Sequence, residues 1–382
     1  MKVALVHDWL TGMRGGERVL EEILELFPRA DIHTLLHVPG TVSPRIEARP
    51  IHTSFLQRLP RAAERYRWYL PLFPWAVERL CLGGYDLVIS SSHCAAKAVL
   101  TDPPTAHLCY CHTPMRYAWD QFDTYFNPQR NGRLAYVAIA ATMAWLRRWD
   151  RATAGRVDAF AGNSAFVAQR IDRYYGRMAT VVPPPVDTEF FVPAPGVAPG
   201  DYYLVVSALS PYKRTEVVIE AFNRMGRPLV VVGEGPDADR LAALAGPTVQ
   251  LRGAVDAEAL RRLYQGCRGL VLAAVEDAGI VPLEAMACGR PAIVLARGGA
   301  REAIDDGVTG ILIEEQSPPA VARAIDRAEA TAFNTEEIRS AARRYAKDRF
   351  RSRFSAFVAA SLDPPPPRAA TLPPTPATRQ AT

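Results

Sequence analysis

Residues 276 to 284 read Glu-Asp-Ala-Gly-Ile-Val-Pro-Leu-Glu, with a carboxylate at each end of the nonamer. It follows an apolar run, Gly269 to Ala274, and precedes the helix-compatible Ala285-Met-Ala-Cys288. A short strand would deliver Glu276 at its carboxyl end, and Pro282, with its fixed φ and missing donor, suits the first turn of a helix. The N–H groups of Gly279, Ile280 and Val281 would then open that helix without partners, the arrangement that binds anions. Glu276 before the helix and Glu284 in its first turn could accept hydrogen bonds from hydroxyls while the amides between them hold phosphate. The spacing also fits a plainer arrangement, in which one glutamate favours the helix dipole and the other sits in solvent.

Other residue groups bear on the same chemistry. Lys213 and Arg214 follow a strand-like run ending near Leu209. There they could set cations against a nucleotide diphosphate and neutralise a leaving group without a metal. Gly15-Gly16 lies between the first strand and its helix, where a dinucleotide site would carry Gly-x-Gly-x-x-Gly; that motif is absent, and a simple tight turn fits equally well. His112 closes the run Leu108 to Cys111, and Arg252-Gly253 closes the run from Val249, where it could border a nucleobase. Asp237-Ala-Asp239 has the form of a metal–diphosphate signature, yet it follows Gly233-Glu-Gly-Pro236, where acidic residues cap the next helix. His33 and His37 have helical metal spacing in a strand-to-loop setting, and Cys109-Tyr-Cys111 has the wrong spacing for a zinc or dithiol site. The six cysteines read as reduced core thiols, and no metal is expected.

The elements that must hold these groups alternate. Strand-like runs at Val3 to Asp8, Ile32 to Leu36, Asp86 to Ser91, His107 to Cys111, Asp158 to Gly162 and Thr180 to Val182 are separated by helix-compatible stretches. The pattern restarts at Tyr202 to Leu209 and continues through Leu229 to Gly233, Val249 to Gly253, Gly269 to Ala274, Ala292 to Ala296 and Gly310 to Ile313. This is an α/β chain of two doubly wound, Rossmann-like domains facing a cleft. With 382 residues and 49% hydrophobic content it can fill two cores. The domains are read as 1–185 and 201–343, with a Pro-rich linker at 186–200. A basic helix at 344–362, its Phe350 and Phe354 available to pack back toward the first domain, precedes a disordered Pro-rich tail at 363–382.

A net charge of +5 is too small to argue for nucleic acid, and a pI near 8.9 suits an anionic substrate or a membrane surface. The longest apolar run, Leu134 to Leu146, is too short to span a bilayer and is flanked by Arg133 and Arg147-Arg148. The chain enters a strand pattern at its first residues, so no signal peptide is expected and the location is read as cytoplasmic. Arg58 to Trp75 interleaves Arg58, Arg61, Arg65 and Arg67 with Tyr66, Trp68, Tyr69, Phe73 and Trp75. Such a segment can lie among lipid headgroups on the inner face of the membrane, or can turn its aromatic side into the first domain's core.

Several ordered motifs carry a family likeness. They are Thr11-Gly-Met-Arg-Gly-Gly-Glu17, His112-Thr-Pro-Met-Arg-Tyr-Ala-Trp119, Gly162-Asn-Ser164, Ser210-Pro-Tyr-Lys-Arg214, Gly233-Glu-Gly-Pro236 and the nonamer. Over roughly residues 1 to 360 the chain resembles retaining glycosyltransferases of the GT-B fold, family 4, and the His112 and Ser210 strings look most like the GDP-mannose-dependent mannosyltransferase branch. The resemblance implies an acceptor-binding first domain and a nucleotide-sugar-binding second domain. It also implies transfer of a hexose, mannose from GDP-mannose, to a glycan or polyprenyl-linked acceptor in surface polysaccharide assembly, without cofactor or metal. His112, Lys213 and Glu276 would be the catalytic groups, with His112 near the transferred sugar. Gly15, Gly16, Arg214, Arg252, Gly279, Ile280, Val281 and Glu284 would bind the donor, Glu276 taking sugar hydroxyls and Glu284 the ribose. Relatives often carry an arginine where this chain has Ala208 and an aromatic residue where it has Ala278. A sugar-nucleotide epimerase of the same architecture and a non-catalytic nucleotide-sugar-binding protein remain as alternatives.

Overall fold

The computed structural model describes residues 1–126, 132–196 and 198–363. Seven strands form the first sheet: β1 Val3–His7, β2 Asp31–Thr34, β3 Ile51–Thr53, β4 Leu87–Ser92, β5 Ala106–Cys111, β6 Ala159–Gly162 and β7 Ala179–Val181. Their order across the sheet is β3-β2-β1-β4-β5-β6-β7, and every pairing is parallel. Six more form the second: β8 Tyr203–Val206, β9 Leu229–Val232, β10 Val249–Leu251, β11 Leu270–Leu272, β12 Ala292–Leu295 and β13 Gly310–Ile313. Their order is β10-β9-β8-β11-β12-β13, again all parallel. Parallel strands with helices on both faces lose water on both sides, which is why β1 and β9 are buried at every position and read as apolar runs, with His7 closing β1. The edge strand β3 has no such run, and its three residues escape the sequence pattern.

Both sheets reverse direction of growth beside their first strand, between β1 and β4 and between β8 and β11. In doubly wound sheets the crevice at the carboxyl ends of such strands is where ligands bind. Of the expected site residues, Gly15 and Gly16 follow β1, Lys213 follows β8 and Glu276 follows β11, whereas Arg252 follows the edge strand β10.

The carboxyl-terminal segment forms two helices, Thr335–Arg343 within the span read as the second domain and Lys347–Leu362 within the 344–362 read as a carboxyl-terminal helix, separated at 344–346. The first, with Ile338, Ala341 and Ala342, packs in the second domain; the other inserts Phe350, Phe354, Phe357 and Val358 into the first. Lys347 pairs with Asp187 at 2.5 Å and Arg351 with the buried Glu22 at 2.7 Å. The stretch 186–191, read as linker, is built into the second domain through Val186 and Phe191. The tail expected to be disordered lies, from residue 364, outside the described residues. Of the six cysteines, Cys81 is exposed and the other five are buried thiols.

Candidate active site

In the second domain, the chain leaves β8 and reaches Lys213 at the end of a short turn, Pro211–Lys213, while Glu276 follows β11 on the adjacent strand. Lys213 Nζ lies 2.6 and 2.8 Å from the two carboxylate oxygens of Glu276. Both side chains are nearly buried, 13% and 14% exposed, so the pair faces a partly desolvated space. Burial alone would lower the lysine pKa, but Glu276 reverses this and holds it above the ordinary range, keeping Lys213 charged.

The backbone around Glu276 is compressed. Gly299 N–H donates to the Glu276 carbonyl at 2.7 Å, and a Cβ on Gly299 would lie 1.9 Å from the Asp277 carbonyl. Gly279, at φ 75°, precedes the helix Ile280–Ala287, and a Cβ there would stand 2.7 Å from that of Ala300. Only glycine allows these approaches. The first bond of the helix runs from Leu283 N–H to the Gly279 carbonyl, leaving the amides of Ile280 and Val281 ahead of the ladder. Glu284 is the fifth residue of this helix, one turn deeper than the first-turn position expected. It is buried, accepts from Tyr264 Oη at 2.9 Å and pairs with Arg18 of the opposite domain. Burial raises its pKa even though Arg18 and Tyr264 act the other way.

Two expected donor contacts are not brought into this group. Arg214, at φ 52°, turns its guanidinium to Glu216 at 2.6 Å and Gln316 at 3.2 Å. The left-handed backbone between the turn and the next helix swings consecutive residues to different sides, which adjacency in sequence conceals. Arg252 is exposed, its Nε bonded to Gln250 at 3.1 Å, and β9 and β8 separate its strand from β11.

The first domain forms the other wall. Gly15 and Gly16 open the helix Gly15–Leu26, and a Cβ on Gly15 would lie 2.8 Å from Ile280 Cδ1, so the Gly-Gly turn faces the opposing helix start. A Cβ on Gly16 would lie 3.7 Å from His112 Nε2. His112 Nε2 bonds to Ser91 Oγ at 2.8 Å, and the same hydroxyl meets His7 Nδ1 at 3.1 Å. His7 Nε2 lies 3.7 Å from Glu17, and His93 Nδ1 lies 3.1 Å from Asp8, whose carboxylate also takes the amides of residues 93 to 96. Burial, then the neighbouring His93 and His7, depress the His112 pKa well below its usual value. It is therefore a neutral hydrogen-bonding group near pH 7. The Ser91, His7 and His93 environment was not visible in sequence because it is assembled from β1, β4 and β5.

The residues with metal-like spacings have other partners. His33 stacks on His52 at 4.7 Å and bonds Tyr85, whereas His37 bonds Glu47; Asp237 pairs with Arg240 at 2.9 Å. Among the described residues no cluster of His, Cys, Asp or Glu could hold a metal.

Asp277, given no role in the sequence reading, ties the walls together. It pairs with Arg116 and with Arg170 at 2.7 Å and receives Thr113 Oγ1 at 3.3 Å, while Ser164 Oγ donates to its carbonyl at 2.5 Å. Glu302 adds a second tie, accepting the amides of Ala165 and Phe166 at 2.9 and 2.8 Å, where its charge complements the start of the helix Ala165–Tyr175. The His112–Trp119 string and Gly162-Asn-Ser164 thus supply the first domain's side of these contacts.

Two family models match the chain in tandem, Glycosyltransferase Family 4 over residues 13–190 and Glycosyl transferases group 1 over 193–349. A D-inositol 3-phosphate glycosyltransferase of Geodermatophilus obscurus is 32% identical over 221 residues, covering 50% of this chain and 48% of its own. A GDP-mannose-dependent alpha-(1-6)-phosphatidylinositol monomannoside mannosyltransferase of Mycolicibacterium smegmatis is 32% identical over 204 residues, covering 43% and 53%. The chain thus spans about half the length of the curated relatives it matches. Anabaena HepE, solved with UDP-glucose, superposes with a TM-score of 0.68 at 17% identity, covering 94% of this chain and 100% of its own. Sucrose-phosphate synthase of Thermosynechococcus elongatus gives 0.68 at 18%, covering 95% and 100%. At these identities the structural likeness establishes the shared fold.

Proposed function

This chain belongs to the family 4 glycosyltransferases of GT-B fold, and from that premise we propose that it moves a hexose, with mannose from GDP-mannose favoured, to a glycan or polyprenyl-linked acceptor in surface polysaccharide assembly. The observation that carries the reading is the opposition across one cleft of Lys213, Glu276 and the Ile280 helix start to Gly15, Gly16 and His112. The cation and helix amides suit a diphosphate, and Glu276 suits sugar hydroxyls once Lys213 turns to phosphate. Glu284 would take the ribose, with Arg18 released as donor enters.

In this reading configuration is retained by front-face attack. The bond from the anomeric carbon to the diphosphate oxygen breaks with its electron pair staying on oxygen, the acceptor hydroxyl bonds to the same face, and the departing phosphate takes the hydroxyl proton. No protein nucleophile and no metal is assigned. Isotope-labelled GDP-mannose and competing nucleotide sugars, incubated with lipid extract and chelator, test this directly. An α-linked mannosyl product formed without divalent cation is expected; a β-linked product or an absolute metal requirement overturns the mechanism, and conversion without acceptor indicates an epimerase.

A lipid-linked acceptor fits the outer surface of the first domain. Tyr66 and Phe73 enter the core beside Trp9, but Trp68 and Trp75 remain 72% and 52% exposed. The aromatic side of this segment thus enters the core at Tyr66 and Phe73, and Trp68 and Trp75 are left for the lipid contact proposed here. Trp75 meets Trp145 at 6.4 Å, joining the segment to the helix Arg133–Thr153, in which none of residues 133 to 142 is buried. Exposed Arg58, Arg61, Arg65 and Arg67 flank this apolar surface, each such cation worth about 1 kcal/mol at an anionic bilayer. No described helix is long and apolar enough to cross a membrane. Peripheral contact predicts salt-sensitive binding to phosphatidylglycerol vesicles that weakens at least tenfold in Arg65→Ser/Arg67→Ser; vesicle binding unaffected by that change removes this part of the reading.

A further inference from the structure

A departing diphosphate gains negative charge as the glycosidic bond breaks, and its stabilisation needs cations that are not already spent. Lys213 is engaged by Glu276, and Arg214 is turned to Glu216 and Gln316. Ala208, two residues past β8, is exposed and supplies no charge. Of these three positions, only Lys213 sets a cation at this point.

Another cation reaches the same place from the opposite wall. The guanidinium of Arg116 lies 5.1 Å from the centre of the Tyr212 ring, and Lys213 Nζ lies 5.0 Å from that ring. The fields of Glu276 on Arg116, and of Arg116 on Lys213, are both felt. Arg116 keeps 21% of its side chain exposed, whereas Arg170, which shares Asp277 with it, keeps 7%. The loop carrying Arg116 is firmly held: Met115 is fully buried, Trp119 Nε1 donates to the buried Asp150 at 2.7 Å, and the Trp119 ring stacks on Tyr174 at 4.6 Å. Asn163 Nδ2 also donates to the His112 carbonyl at 2.8 Å, fixing the start of the loop. Such support fixes a functional side chain more tightly than an isolated surface arginine would allow.

Asp277 is built to let Arg116 go. If Arg116 leaves it, Asp277 keeps Arg170 at 2.7 Å and the Thr113 hydroxyl, and Arg170 keeps Asp120 at 2.7 Å. No buried charge is orphaned by the exchange, so the usual cost of breaking a buried pair is avoided. We propose that Arg116 is the second cation of the donor diphosphate, supplied across the cleft and held by Asp277 until the donor arrives. The proposal rests on the transferase reading. It assigns Arg116 to the oxygen that becomes the leaving group, where the guanidinium meets the electron pair released from the anomeric carbon.

Calorimetric binding of GDP, GMP, UDP and UMP tests it, with the unmodified protein defining which base pair of ligands is used. In Arg116→Gln, affinity for the matching diphosphate falls about tenfold or more while the monophosphate is unchanged, and kcat falls on the order of 10²-fold. Arg116→Lys retains part of the diphosphate preference, and Ala208→Arg in the Arg116→Gln protein recovers it from the other wall. Equal loss of mono- and diphosphate binding in Arg116→Gln, or no loss of either, overturns the assignment. If the unmodified protein fails to prefer any diphosphate over its monophosphate, the transferase reading fails instead.

Discussion

Lys213→Ala lowers kcat by on the order of 10²- to 10³-fold and weakens nucleoside diphosphate binding, whereas Glu276→Gln lowers kcat with diphosphate affinity nearly intact. The asymmetry follows from the roles the geometry allows. The two side chains neutralise each other at 2.6 Å, each largely withdrawn from water. In the proposed reading a bound donor offers the lysine a better partner, the diphosphate, whose charge grows in the transition state, and leaves the glutamate to accept hydrogen bonds from the sugar. Removing the lysine therefore deletes an interaction that strengthens during reaction, and it also leaves Glu276 as an uncompensated carboxylate facing the incoming phosphate. The amide of Glu276→Gln keeps the shape and one acceptor, so ground-state phosphate binding is little changed while sugar orientation suffers. Nonadditivity sharpens the test: Lys213→Ala/Glu276→Gln is less impaired than the product of the single effects, because the second change removes the repulsion created by the first. Diphosphate affinity unchanged by Lys213→Ala contradicts the role given to that residue.

The parts of this site that were readable in sequence are those whose function and local structure coincide. Gly279, Ile280 and Val281 are bound to open a helix because the strand, the glycine and Pro282 all say so within a dozen residues, and Glu276 rides on the same short segment. The two sheets were readable for the same reason, since a strand buried on both faces is largely apolar. The remainder is set by contacts far apart in the chain. Asp277 sits inside the nonamer, yet its partners are 107 to 164 residues away. Glu284 meets Arg18 across a separation of 266. Arg214 is turned away from Lys213 by its own left-handed backbone, which sequence adjacency does not show. Arg116 was visible as part of a string but not as a group in the cleft, because its neighbours Tyr212 and Asp277 belong to the other domain.

Acidification below about pH 6.5 destabilises the first domain selectively, and the histidines set the sign. All seven lie at or before residue 112. Burial lowers the pKa of His107 to about 4; its two nitrogens are committed to Ser90 Oγ at 2.9 Å and the Arg156 carbonyl at 3.1 Å, so the neutral ring is the one that fits. Burial, then His52, brings His33 to about 4 as well, and His93 and His112 are also lowered. A folded-state pKa below the unfolded value means that the unfolded chain binds more protons. The stabilisation is complete above the unfolded value near 6.5 and is lost as pH falls toward the folded values. For His107 and His33 the loss is on the order of 3 kcal/mol each by pH 4, with Glu284 and Glu22, raised by burial, opposing it over the lower part of the range. Segment-resolved hydrogen exchange at pH 7.5, 6 and 5 should show protection falling in β1, β4 and β5 while β8, β9 and β12 hold theirs, and His107→Gln, which keeps a neutral donor and acceptor, should flatten the dependence. Uniform loss across both sheets would instead place the acid-labile groups outside the first domain. The consequence for catalysis is direct, since Arg116, His112 and the Gly15-Gly16 turn all ride on that sheet: activity at low pH should fail by loss of the first domain's wall.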